Sequence, residues 1–173
     1  MSLGFFCLMT CQIDQSGKIE QTNKNTVLAM SNKKQYSIVI PRKIKRQLQE
    51  IYRRKGLTRF FIYQIFSLGI YFLLEPIKQT TKIIIDPEYP GKNKIITSFI
   101  KAFLETNKKP IHELHFKRIG NQPRVHYAAH DVFTGKKKAN KILTLKEILE
   151  TIKKADGRLR ECLSTLVGAR TRL

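Results

Sequence analysis

Lys82-Ile83-Ile84-Ile85-Asp86 is a run of three β-branched residues closed by a lysine at one end and an aspartate at the other. A short, unbroken apolar run of this kind is the pattern of a central strand buried on both faces, as in sheets covered by helices on both sides. Before it, residues 60–74 (FFIYQIFSLGIYFLL) are apolar nearly all round, the composition of a helix sandwiched inside a domain, and Pro76 closes them. Those 15 residues, bracketed by Arg59 and Glu75, fall short of what a bilayer requires, so no membrane span is expected. After the run, Pro87–Gly91 reads as a loop. Residues 94–106 then place Ile95, Ile96, Phe99, Ile100 and Phe103 on one face of an amphipathic helix.

Working outward, residues 5–13 read as a strand ending at Asp14, and Gln15-Ser16-Gly17-Lys18 as a turn. Short strands follow at 27–31 and 36–40, and these short connections make three antiparallel neighbours. Pro41 opens a helix over 42–55, with Ile44, Leu48 and Ile51 on one face and basic residues on the other; Gly56 stops it. Residues 112–119 alternate as a strand, 125–134 form a helix ended by Gly135, and KKKANK (136–141) is a solvated basic loop. Thr144 and Glu147 have the spacing of a capping box that starts a helix running to about Lys154. The expected fold is α/β: a mixed five-stranded sheet, three antiparallel strands then two crossover strands, with helices on both faces. Residues 1–155 form the domain, and 156–173 a basic helical tail with four arginines.

The 173 residues carry 33 Lys+Arg against 13 Asp+Glu, a net charge of +20, where a small domain typically needs about 2–8 for solubility. Such an excess points to a polyanionic partner. The cations cluster: Arg42, Lys43, Lys45, Arg46, Arg53 and Arg54 in one group, Lys117, Arg118 and Arg124 in a second, Lys136, Lys137 and Lys138 in a third. Together they suit contacts to a DNA or RNA backbone, which confer affinity without sequence readout. Three cysteines with no CxxC pair argue against a disulfide framework or a cysteine-rich zinc module, and for a reducing, cytoplasmic setting. The N-terminus lacks the positive n-region and cleavage site of a secretory signal. Phosphate loops, GxGxxG and GxSxG are missing, so nucleotide hydrolysis, dinucleotide binding and esterase chemistry have no support.

The chain has only four aspartates, and Asp14, Asp86 and Asp131 stand at a strand end, a strand end and a late helix. Ligands of open α/β sheets collect beyond the carboxyl ends of strands. If the first and fourth strands are neighbours, Asp14 and Asp86 sit side by side there. Converging anions need a cation, and oxygen ligands suit Mg²⁺ or Mn²⁺.

The order of elements and acids resembles the ribonuclease-H-like (RuvC/integrase) nuclease superfamily. Ile13-Asp14-Gln15-Ser16-Gly17 resembles its first-strand motif, an Asp followed by Ser or Gly at a hairpin turn. Ile84-Ile85-Asp86-Pro87-Glu88-Tyr89 resembles its fourth-strand motif, and Ala128-Ala129-His130-Asp131 through Gly135 the late helix that bears the last Asp in one branch. The resemblance implies a metal-dependent nuclease in which Asp14, Asp86 and Asp131 hold one or two Mg²⁺ or Mn²⁺ ions. Glu50 on the first helix, or Glu88, is the fourth carboxylate. It leaves DNA, RNA, hybrid or junction substrates open; a junction-cutting enzyme is expected to act as a homodimer. His130 is expected beside the carboxylates, assisting water or phosphate, and His126 to pack or touch phosphate. A zinc site from His126, His130 and Asp131 has no cysteine or HExxH to support it. The rival readings are a non-catalytic nucleic-acid-binding protein of the same fold and a peripheral membrane protein.

Overall fold

The computed structural model describes residues 10–32, 34–120 and 123–168. It is an α/β fold built on one mixed sheet. Strands β1 (Thr10–Ser16), β2 (Thr26–Ser31) and β3 (Gln35–Ile40) form an antiparallel meander. Helices α1 (Arg42–Arg54) and α2 (Thr58–Leu74) then lead to β4 (Lys82–Ile85), and α3 (Asn93–Thr106) to β5 (Glu113–Phe116). Helix α4 (Pro123–Phe133), β6 (Lys141–Ile142), α5 (Leu145–Lys154) and α6 (Asp156–Gly168) complete the chain. The sheet order is β5-β4-β1-β2-β3-β6, and β4 lies parallel to β1, with Ile13 opposite Ile85.

The sheet has six strands, not five. The tail of the lysine-rich segment is drawn onto β3 because Asn140 Oδ1 accepts hydrogen bonds from the Ser37 N–H (2.8 Å) and the Ser37 hydroxyl (3.2 Å). Lys141 and Ile142 then pair parallel to Ile38 and Val39. A two-residue strand has no periodicity for a sequence to display. The first strand was expected to end at Asp14, but β1 runs on to Ser16, so Asp14 lies inside it; residues 5–9 of the expected strand fall outside the described residues.

Helices cover both faces unequally. On one face α2 and α3 bury Phe66, Leu68, Phe99 and Phe103 against Ile13, Leu28, Ile83 and Ile85, the main core. On the other, α4 covers β1, β2 and β3 through a smaller cluster: Val27, Ala29 and Val39 against Ala128 and Ala129. The small alanines let α4 lie close to the sheet. Because α4 stops short of β4, that strand is not buried on both faces as its composition suggested. Ile83 and Ile85 are buried, whereas Lys82 and Ile84 are only half-buried. That half-open face admits the site described below.

Helix α5 starts at the capping box expected for it: Thr144 Oγ1 accepts the Glu147 N–H, and Glu147 Oε2 accepts the Thr144 N–H. Helix α6, expected as a tail, is packed onto the domain; Leu159 is buried, and Cys162 and Leu163 lie against the main core. Among the described residues no helix is long and apolar enough to cross a membrane.

Lys45 corrects the reading of α1. Its side chain is fully buried, with Nζ donating to Lys18 O (2.9 Å), Gln21 O (2.9 Å) and Thr26 Oγ1 (2.8 Å). It fastens α1 to the β1–β2 loop and cannot touch a nucleic acid. Burial pulls its ammonium down to about 8, partly offset by the Glu20 carboxylate.

Candidate metal centre

Three acids meet where β4 ends beside β1. One oxygen from each of Asp14, Asp86 and Glu88 lies within 4.8 Å of the others. The parallel β1–β4 pairing is responsible: Asp86 N–H donates to Ile13 O at 3.1 Å, so the residue after β4 arrives beside the residue after Ile13. Glu88 is folded back by a tight turn in which its N–H donates to Asp86 O at 2.9 Å. The cluster is lined further by Ile119, Gly120, Val125 and His126.

Each aspartate is held. Asp86 Oδ1 accepts the Ile119 N–H (2.9 Å), which closes the loop after β5 over the site. Asp14 Oδ1 accepts the Gln15 N–H (2.8 Å), and its Oδ2 lies 3.1 Å from His126 Nδ1. Glu88 carries no side-chain hydrogen bond among the described residues. Burial, and then the charges of Asp14 and Asp86, raise its carboxyl to about 7, against a partial offset from Lys18. Three oxygen ligands and a neighbouring imidazole are a donor set that suits Mg²⁺ or Mn²⁺.

Behind the cluster, Tyr89 OH accepts the Ile19 N–H (3.3 Å) and donates to Glu20 Oε2 (3.1 Å). It ties the loop after β4 to the loop after β1. Gly17, at φ +74°, makes that turn, and Phe133 of α4 packs directly on it. The site is therefore framed by the β1–β2 loop, the loop after β4, the loop after β5 and the first turn of α4.

Asp14 and Asp86 are brought together as expected. Asp131 is not part of the cluster: it pairs with Lys137 Nζ at 3.1 Å. Helix α4 meets the site with its first turn, at His126, and Asp131 is five residues later, about 140° round the helix. His130, expected beside the carboxylates, stacks on His126, ring centroids 6.0 Å apart and 23° between planes, and it is His126 whose Nδ1 reaches Asp14. Glu50 is remote: it is chelated by Arg53 and Arg54 of its own helix, which hold it down to about 2. Of the two candidates for a further carboxylate, the one beside Asp86 is the one in the cluster.

Sequence reasoning assigned His126 to packing or phosphate and missed its place on Asp14. The signal was its position one turn before His130, on the same face of a helix already suspected of carrying a ligand. Of the expected phosphate contacts, Arg42, Lys43, Arg46, Lys117, Arg118, Arg124, Lys136 and Lys138 are exposed. Arg53 and Arg54 are exposed but already engaged with Glu50, and Lys137 with Asp131. Comparison of the chain with protein-family models, with curated proteins and with solved structures finds no match.

Proposed function

We propose that this chain is a metal-dependent nuclease of ribonuclease-H-like fold that cleaves phosphodiester bonds of DNA or RNA. The observation that carries the reading is the convergence of Asp14, Asp86 and Glu88 at the carboxyl end of β4 in a protein of net charge +20. A positive molecule has no shortage of cations to spread among its acids, yet among the described residues none of these three forms an ion pair with a lysine or arginine. Asp14, Asp86 and Glu88 would hold one or two Mg²⁺ or Mn²⁺ ions, whose chemistry is to polarise a phosphoryl oxygen and activate water.

The chain's own groups prepare that site. The Ile119 N–H fixes the Asp86 carboxylate through one oxygen and leaves Oδ2 for a ligand. Asp14 is oriented through both oxygens, Oδ1 by the Gln15 N–H and Oδ2 by His126 Nδ1. The half-open face of β4 gives a polymer access. The exposed Lys117 and Arg118 after β5 and Arg42, Lys43 and Arg46 of α1 supply backbone contacts.

The pairing of Asp131 with Lys137 favours a second reading, in which the same surfaces bind nucleic acid and cut nothing. A cleavage assay separates the two. Single-stranded, duplex, hybrid and four-way-junction substrates are incubated with Mg²⁺, Mn²⁺ or EDTA, using wild type, Asp86→Asn and Glu88→Gln. Cutting that needs the metal and is lost in both variants supports the nuclease and identifies its substrate. Salt-sensitive binding without cutting, unchanged in both variants, refutes it in favour of the binding protein.

A further inference from the structure

Strand β5 closes one end of the sheet, and among the described residues nothing pairs with its outer side. The parallel ladder to β4 uses the main-chain groups of alternate residues: Glu113 N–H donates to Thr81 O and Lys117 N–H to Ile85 O. Leu114 and Phe116 therefore turn their N–H and C=O groups outward, away from β4. Their side chains lie on the α2–α3 face, half-buried against the main core, while Glu113, His115 and Lys117 alternate onto the opposite face.

We propose that β5 pairs antiparallel with β5 of a second copy of this chain, about a two-fold axis through His115. The strand is self-complementary in that one register. Leu114 stands opposite Phe116 of the second copy, and Phe116 opposite its Leu114. These are the residues with outward main-chain groups, so both become hydrogen-bonded pairs, and their apolar side chains meet on the same face. Glu113 stands opposite Lys117 of the second copy, twice over by symmetry, at the closely spaced non-hydrogen-bonded positions. Glu113 and Lys117 are both exposed; Glu113 Oε1 already lies 2.6 Å from His115 of its own strand, the residue on the axis, so the pair with Lys117 of the second copy adds to that contact through the other oxygen. A shift of one residue sets outward main-chain groups against inward ones, and a shift of two, which keeps them matched, loses both Glu113–Lys117 pairs. The strand is short and its flanks are charged, but it has no proline, no bulge and no inward-facing charge, and in this register its charges are of opposite sign. The association does not rest on the activity proposed above, although it engages Lys117, one of the cations assigned there to the nucleic-acid backbone.

The test is sedimentation equilibrium of the full chain, freed of nucleic acid, for wild type, Glu113→Lys, Lys117→Glu and the double exchange. Wild type self-associates to a dimer. Either single reversal sets like charges opposite each other at two places and weakens the dimer by at least about tenfold. The double exchange restores opposite charges and returns the affinity to within about threefold of wild type. A wild type that stays monomeric at every concentration reached overturns the proposal. So does a double exchange as weak as the single variants, because a dimer built on another surface gains nothing from the swap.

Discussion

Replacing Gly17 with alanine tests how the site is framed. Gly17 has φ +74°, and a Cβ there would lie 2.4 Å from Asn25 O and 2.6 Å from Phe133 Cε2. The left-handed backbone alone costs an L-residue about 1–2 kcal/mol. The two overlaps add about 1–3 kcal/mol, since Asn25 O is main chain in the same loop and cannot turn aside as a side chain would. The expected destabilisation is therefore about 2–5 kcal/mol, a large part of a typical domain's stability. Gly56 is the control: its φ is +68°, but nothing lies within 4 Å of an added Cβ, so Gly56→Ala carries the backbone cost alone. Urea unfolding of wild type and both variants gives the two costs from shifts in midpoint at constant slope. Their difference measures the two overlaps together, the closure of the β1–β2 turn at Asn25 and the seating on it of Phe133, at the other end of the helix bearing His126. If Gly17→Ala costs no more than Gly56→Ala, α4 is not seated on that turn and the account of the frame fails.

Three other outcomes are expected. Lys45→Met keeps the length of the side chain but leaves Lys18 O, Gln21 O and Thr26 Oγ1 without their shared donor; it lowers stability by about 2–4 kcal/mol in the same unfolding assay. His112 is buried, its Nδ1 accepts the Thr81 N–H, and burial lowers its pKa. The unfolded chain therefore binds a proton before the folded one does, and stability falls as pH drops below about 6.5 towards the lower folded value. Urea midpoints across that range should show a fall that is smaller in His112→Gln; equal slopes would remove His112 as the cause. Mn²⁺ raises the unfolding midpoint of wild type, by about 2.7 kcal/mol at a hundredfold excess over its dissociation constant, and does so much less in Glu88→Gln. An equal shift in both proteins would place the ion elsewhere.

The local signals were strong where one element carries its own evidence. The uniformly apolar 60–74 segment, the capping box of Thr144 and Glu147, and the short strands around Val27 and Ile38 all formed as read. Each is set by residues within a few positions of one another, through helical or strand periodicity and cap chemistry. The juxtaposition of Asp14 and Asp86 was also legible, because a strand-end acid needs only the pairing of its strand with a neighbour to be placed. Errors arose where burial depends on distant chain. Lys45 is one cation among many along α1, and nothing in its neighbours tells that two carbonyls of the β1–β2 loop and the Thr26 hydroxyl of β2 enclose it. Ile84 looks as apolar as Ile83, but how deeply it is buried depends on the reach of α4.

What the sequence determined by itself was every element but the two-residue β6, the excess of positive charge and the aspartates Asp14 and Asp86 on the first strand and just after the fourth. Those are properties of composition and of spacings of two to four residues. The tertiary structure decided which acids and imidazoles meet. Helix α4 crosses β1, β2 and β3 and meets the site with its first turn, so His126 reaches Asp14 while Asp131 turns away to Lys137. The turn after Asp86 returns Glu88 to the cluster, while Glu50 stays away on α1, paired with the arginines one turn along its own helix. A helix's phase is written in its own residues, but the point at which it crosses a sheet is set by the packing of small side chains such as Ala29, Ala128 and Ala129 against one another.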